Sequence, residues 1–264
     1  MRPGYPIIAA SIISLASSQA AVTLYAEYHL GESGSLGTNN NPQDSSGNGK
    51  NFGSEISGST TNVSTTGVFA PGSTHYLDTS GSGNQGWYST DLYSTGTTLP
   101  LDDFALGIFT RASENSAATR GDIFTTGGGF PNGAFKLSLS DNGWAASSHN
   151  IAWIGAANGI SGSFTANEWV HLALIRSGGV TTFYIDGVAQ SGTITSAPTH
   201  NSPHLSVDPG GTNYFDGHLD EARIVTFTTG ESTTNILNAL TAIPEPSSVL
   251  LGSLGMLTLL RRRR

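Results

Sequence analysis

Cysteine is absent from the 264-residue chain, so no disulfide framework, thiol nucleophile or cysteine-bound zinc can be assembled from it. Charge is scarce as well, with Asp, Glu, Lys and Arg together making 11% of the residues. Apart from Arg2, Arg261 to Arg264 and Glu245 at the two ends, 18 acidic side chains stand against 6 basic ones. A body of that sign repels phosphate backbones, which argues against nucleic acid as a partner. Long segments with an apolar period of 3.6 residues are missing, and a helical bundle is excluded with them. The Gly-x-Ser-x-Gly nucleophile elbow is missing too. Gly49-Lys50 fails as a phosphate loop, because Asn51 replaces the required Ser or Thr and Asp44 stands where the first Gly belongs. His200 and His204 have helical spacing, but Pro203 between them makes two separate loop histidines the better reading.

What remains is 34 glycines, 37% hydrophobic residues and a succession of short β-branched and aromatic runs. Length and composition fit one all-β domain, long enough to bury a core, with no internal repeat. The most informative stretch runs from Glu168 to Gly187, two such runs around Gly178-Gly179. A Gly-Gly pair supplies the positive φ angles of a two-residue hairpin loop. Leu174 then lies opposite Phe183 and Leu172 opposite Ile185, giving one apolar face; a slip of one residue would mix the faces. The other face, with Trp169, Ala173 and Ile175, is only partly polar, which suits a hairpin inside a sheet. Leu174 reads as buried, and Thr181 as replaceable. His171 and Asp186 become cross-strand neighbours and read as a structural polar pair, since no nucleophile accompanies them.

Further strands are expected over residues 22–30, 104–110, 123–126, 134–140, 151–154, 188–194 and 218–227, an even spacing that points to a sandwich or jelly roll. Thr228-Thr-Gly-Glu231 resembles a capping box ahead of Ile236, Leu237 and Leu240, so one short closing helix is expected. The polar stretches 31–67 and 81–98 read as surface loops.

The ends have a different character. Residues 1–20 combine Arg2, the apolar run from Ile7 to Leu15 and the small-x-small site Ser18-Gln19-Ala20, the pattern of a secretory signal peptide. At the other end, Ile243-Pro-Glu-Pro246 precedes a small and apolar stretch from Ser247 to Leu260 and then four arginines. A helix over that stretch reaches about 21 Å, short of the ~30 Å hydrocarbon core. It suits transient contact with the inner membrane, arginines on the cytoplasmic side, better than a permanent anchor. The body between is a single domain, residues 21–242.

Two resemblances follow from these residues. The order Pro-Glu-Pro, short apolar helix, arginine cluster over residues 243–264 resembles the PEP-CTERM sorting tail of Gram-negative bacteria. That resemblance implies removal by an exosortase and delivery to the cell surface or the exopolysaccharide matrix. The hairpin Trp-x-His-Leu-Ala with Phe-Tyr-Ile-Asp-Gly resembles the central hairpin of LamG-like, concanavalin A-like jelly-roll domains. Gln43 to Phe52 and Phe215 to Val225 agree with it in order and separation. The resemblance implies an all-β sandwich of two antiparallel sheets. It also brings in laminarinase-type glucanases, whose Glu-x-Asp-x-x-Glu strand sets acid and nucleophile about 5 Å apart. No such triplet occurs here, and the adjacent pairs Asp102-Asp103 and Asp220-Glu221 would point to opposite faces of a strand.

A non-catalytic protein that binds glycan, exopolysaccharide or a surface protein is therefore the expectation. A divergent glycoside hydrolase and a purely structural matrix component are the alternatives. Trp87, Tyr88 and Tyr93 lie in the polar loop before the Phe104 strand, and Trp144 and Trp153 flank another loop. Such aromatics stack on sugar rings; equally, they close the ends of a core. A calcium ion is expected between Asp44-Ser-Ser-Gly-Asn-Gly49 and Asp220. Asp44 and Asp220 are its carboxylate ligands, and Asn48 or Gly49 is a carbonyl donor. Placing Asp220 there rests on the resemblance, since related jelly rolls hold calcium between an early loop and the Asp opening the last core strand. An Asx-turn at Asp44 is the competing reading.

Overall fold

The computed structural model describes residues 22–242, except 38–40, 56–61, 68, 81–85, 90–98, 113–120, 127–134, 141–142, 148–158, 164, 196, 199–202, 208–210 and 212. It is a sandwich of two antiparallel sheets. In chain order the strands are β1 (Thr23–Tyr28), β2 (Ser54–Glu55), β3 (Asn62–Ser64), β4 (Tyr76–Asp78), β5 (Trp87–Tyr88), β6 (Phe104–Ala112), β7 (Gly121–Thr125) and β8 (Lys136–Ser140). They continue as β9 (Gly143–Ser147), β10 (Gly159–Gly162), β11 (Val170–Ser177), β12 (Val180–Ile185), β13 (Val188–Ala189), β14 (His204–Leu205) and β15 (Gly217–Thr226), followed by the helix α1 (Thr233–Thr241). The first sheet runs β13-β12-β11-β6-β15-β4-β3, with β1 also paired to β15; the second runs β10-β9-β8-β7-β14-β5-β2.

The hairpin forms in the register its sequence dictates. Leu172 faces Ile185 and Leu174 faces Phe183, and Gly178 and Gly179 take φ of 56° and 82°, a conformation that costs a glycine nothing. β11 lies inside the sheet, bonded to β12 and β6. Thr181 departs from expectation. Counting by two from Phe183 places it on the core side, where it is fully buried and its Oγ1 accepts from Arg176 Nη1. His171 and Asp186 also meet differently. The Asp186 carboxylate accepts the His171 backbone N–H at 2.8 Å, and neither ring nitrogen of His171 has a partner.

Between the sheets, Leu106, Ile108, Leu172, Leu174, Phe183, Leu219 and Ile224 meet Phe124, Leu137, Leu139 and Leu205 in one core. Burying each such side chain contributes roughly 1.5–3 kcal/mol. The outer face of the first sheet has two halves. Over one half lies α1, whose Ile236 and Leu240 cover Ala105, Ala173, Ile175 and Val225. Small residues on the strands let the helix approach closely. A Cβ added at Gly107 would stand 2.8 Å from His171 Nε2 and 3.1 Å from Leu240 Cβ. The helix begins later than the Thr228 box suggested. Ser232 is the N-cap, its Oγ accepting from Asn235 N at 3.1 Å, and Glu231 accepts from Ser232 N.

Other boundaries shift as well. β13 is only two residues long, and Ile194 returns as a bridge to Thr181. β2, β3 and β5 lie within stretches read as loops. The strand expected over 151–154 lies outside the described residues.

Candidate glycan-binding face

The half of the outer face that α1 leaves uncovered carries a cluster of rings. Tyr76 comes from β4, His218 from β15, Trp169 from the approach to β11, and Phe69 from the loop before β4. The pairing of β4 with β15 sets His218 opposite Asp78, two residues from Tyr76. The Tyr76 and His218 rings lie 4.4 Å apart at 33°, close to stacked. Trp169 is 5.7 Å from Tyr76 and 6.2 Å from His218, and Phe69 is 5.9 Å from Tyr76. Asn167 fixes the approach of Trp169, with φ of 61° and its N–H donated to Ala112 O. Tyr76 is buried, whereas Phe69, Trp169 and His218 are half-exposed.

Polar groups border these rings. Arg111 Nε donates to Asn167 O at 2.9 Å, and its Nη1 lies 3.2 Å from His218 Nδ1. Arginine only donates, so His218 Nδ1 is the acceptor and Nε2 carries the proton, aimed at Asp78 Oδ1 3.4 Å away. Burial first, and the Arg111 charge after it, hold the His218 pKa below its usual value. The ring is neutral, therefore, and Arg111 donates to it at the border of the cluster. An aromatic surface edged by a guanidinium, an imidazole and a carboxylate can take the apolar face of a sugar ring and its hydroxyls together.

The aromatic residues singled out in the sequence lie elsewhere. Trp87 is fully buried in β5, a core residue rather than a loop platform. Tyr88, beside it, is half-exposed and lies 6.0 Å from the His204 ring in the second sheet. Trp144 is in β9; its side chain, and Tyr93 and Trp153 altogether, lie outside the described residues. Trp169 was legible as an outward-facing hairpin residue, but its ring partners are distant in sequence.

Next to the cluster, Glu27, His29 and Glu221 bring their ligand-type atoms within 4.8 Å of one another. Arg223 Nη2 reaches Glu27 at 2.5 Å and Glu221 at 3.8 Å. His29 Nδ1 is 2.8 Å from Glu221 Oε2. Hydrogen bonds that His29 donates to Glu221 and then to Glu27 raise its pKa to about 10. Two anions and two cations therefore neutralise each other. Although burial opposes it, the bond to His29 and the Arg223 charge hold Glu27 below the usual carboxylate range. A glycosidic general acid needs the opposite shift, so Glu27 belongs to an ion network with Arg223 and His29.

The expected calcium ligands do not share a site. Asp44 Oδ1 accepts from Glu27 N and Ser46 N, and Oδ2 accepts from Lys50 N. Amide hydrogens converging on a carboxylate are the Asx-turn arrangement, and their dipoles disfavour a cation. Asn48 donates its amide to Leu24 O and Tyr25 O, and Gly49 is exposed with φ of 69°. Glu27 N–H and C=O both face this loop, so β1 stands between Asp44 and β15. Asp220 is fully buried there. Its Oδ1 accepts from Glu221 N, the Ser73 hydroxyl lies beside the carboxylate, and burial raises its pKa to about 8. The strand alternation expected of Asp220 and Glu221 is broken by a bulge, with Glu221 at φ of 43°, and both side chains are buried.

Residues 82–231 match the family model of the concanavalin A-like lectin/glucanases superfamily, and residues 242–264 match the PEP-CTERM protein-sorting motif. Comparison with curated proteins gave no match. Domain 4 of AbnA, a GH43 extracellular arabinanase from Geobacillus stearothermophilus in complex with arabinotriose, is 20% identical at a TM-score of 0.54, covering 84% of this chain and 99% of that one. The binding domain of botulinum neurotoxin DC in complex with SialylT is 13% identical at 0.52, covering 83% of this chain and 52% of that one. The Trypanosoma rangeli sialidase in complex with the inhibitor DANA is 14% identical at 0.54, covering 82% of this chain and 32% of that one. At such identities the likeness is one of fold. Among the described residues no helix is long and apolar enough to cross a membrane. The chain belongs to the concanavalin A-like lectin/glucanases superfamily and carries the sorting tail of an exported protein.

Proposed function

We propose that this is a non-catalytic surface or matrix protein that binds carbohydrate on the Trp169, Tyr76 and His218 face. The observation that carries the reading is the half-exposed ring cluster bordered by Arg111 and Asp78. Sugar-bound relatives of the same fold support it, among them an arabinanase domain with arabinotriose. In this reading the tail is cut by an exosortase, and the protein is delivered to the cell surface or matrix of a Gram-negative bacterium. The hydrolase alternative has less support, since the carboxylates of Glu27 and Glu221 are bound by Arg223 and His29. The purified protein against a polysaccharide panel, with reducing-sugar release measured in parallel, tests the proposal. Retention without release supports it; release of sugar, or retention of nothing, contradicts it.

Calcium is a proposal at Asp220 alone, whose buried carboxylate faces the Ser73 hydroxyl. Asp220 would hold the ion and Ser73 would stand beside it, as a purely structural site. Calcium should then raise the melting temperature of the wild type but not of Asp220→Asn, and metal analysis should find the ion. A melting temperature indifferent to calcium and EDTA removes it.

A further inference from the structure

Charge around the ring cluster is uneven. Arg111 on β6, His218 on β15 and Asp78 on β4 stand in one row across three strands. Arg111 spends Nε on Asn167 O and Nη1 on His218. Asp78 Oδ1 accepts from both the N–H and the hydroxyl of Ser80, which leaves Oδ2 as its open acceptor on a half-exposed side chain. Asp216 is half-buried, and its charge acts on His218 together with that of Asp78. Glu168, next to Trp169 in the chain, is exposed. His75, next to Tyr76, has its Nδ1 3.1 Å from Glu32 Oε2, so any charge it carries is matched. Among the described residues at this border, the carboxylates of Asp78, Asp216 and Glu168 therefore stand against the single guanidinium of Arg111.

That balance bears on what the rings can hold. An acidic sugar seated on them would gain from Arg111 and lose to the three carboxylates. One charge pair 4 Å apart in water is worth about fivefold in affinity, and salt screens it beyond about 10 Å at 0.1 M. The carboxylates in excess of Arg111 thus weigh against a uronate by about tenfold. The body has the same sign, with 18 acidic side chains against 6 basic ones, so a polyanion is repelled during its approach as well. A neutral sugar meets none of this cost. Its ring stacks, and its hydroxyls donate to a charged acceptor, which holds them more strongly than a neutral one.

We infer that the Trp169–Tyr76–His218 face selects uncharged polysaccharides and rejects uronate-containing ones, with Asp78, Asp216 and Glu168 as the rejecting groups. The inference rests on the glycan-binding reading and adds the charge class of the ligand to it.

The test uses galactomannan, pullulan and xyloglucan, each beside a form whose primary hydroxyls are converted to carboxylates. Backbone and stacking surface are then the same within each pair. Affinity electrophoresis of the purified protein compares the two forms at low and at high salt. At low salt a retained polymer should bind about tenfold more tightly in its neutral form, and the gap should shrink at high salt. Glu168→Gln, at an exposed position, should narrow the low-salt gap, and Glu168→Gln combined with Asp216→Asn should narrow it further. An acidic form bound as tightly as its neutral parent, or more tightly, overturns the selection and leaves sugar binding standing. A gap unchanged in both variants, each folded by its melting curve, overturns the assignment to these residues. Retention of neither form of any polymer contradicts the glycan-binding reading itself.

Discussion

His29 Nδ1 sits 2.8 Å from Glu221 Oε2 across 192 residues of chain. The contact pins β1 to β15 through charge, and it makes stability depend on alkaline pH. The folded His29 pKa of about 10 lies above the ordinary 6.5. Its stabilisation is therefore complete below 6.5 and is lost as pH rises toward 10. Melting temperature should fall over that window in the wild type and flatten in His29→Gln. A His29→Gln profile parallel to the wild type would show that His29 carries no such charge.

Arg223 is the cation that this network cannot lose. Arg223→Met leaves Glu27 and Glu221 buried with one positive partner, and should cost about 3–5 kcal/mol. Urea unfolding measures it. A loss under 1 kcal/mol would mean that water already solvates these carboxylates.

At acid pH the sensitive residue is His171, under α1. Burial, and after it the Arg223 charge, lower its pKa to about 4. Its contribution is present above 6.5 and is lost as pH falls through 4. The Asp186 carboxylate bonds its backbone and not its ring, so it does not shield the imidazole. His171→Phe should remove the loss of melting temperature between those values, and an unchanged acid limb would contradict the assignment.

The hairpin was legible because two rules agree on it. A two-residue Gly-Gly loop fixes the pairing, and period two fixes the faces. The same rule, carried to Thr181, places it in the core, which a reading by polarity alone missed. Trp87 was misread for a related reason, since β5 is two residues long among polar neighbours. The ring cluster was not legible at all. Phe69, Tyr76, Trp169 and His218 are assembled by β4, β15 and β11, whose order in the sheet is not written in local sequence. Asp220 and Glu221 lie at a bulge in β15, a feature that local alternation does not reveal.

Leu174 and Val188 test the faces directly. Leu174 is fully buried and Val188 is 65% exposed. Leu174→Ala should cost about 2–5 kcal/mol, while Val188→Thr should stay within about 0.5 kcal/mol. Comparable shifts in the urea midpoint would contradict the assigned core.

The central claim is that sugar is held on the uncovered half of the outer sheet face. Titration calorimetry of the wild type and Trp169→Ala against a polysaccharide that the wild type retains tests it most directly. The account predicts at least a tenfold loss of affinity in Trp169→Ala with the melting temperature nearly kept, because Trp169 is half-exposed. Equal affinity in the two proteins, with both folded, would contradict it.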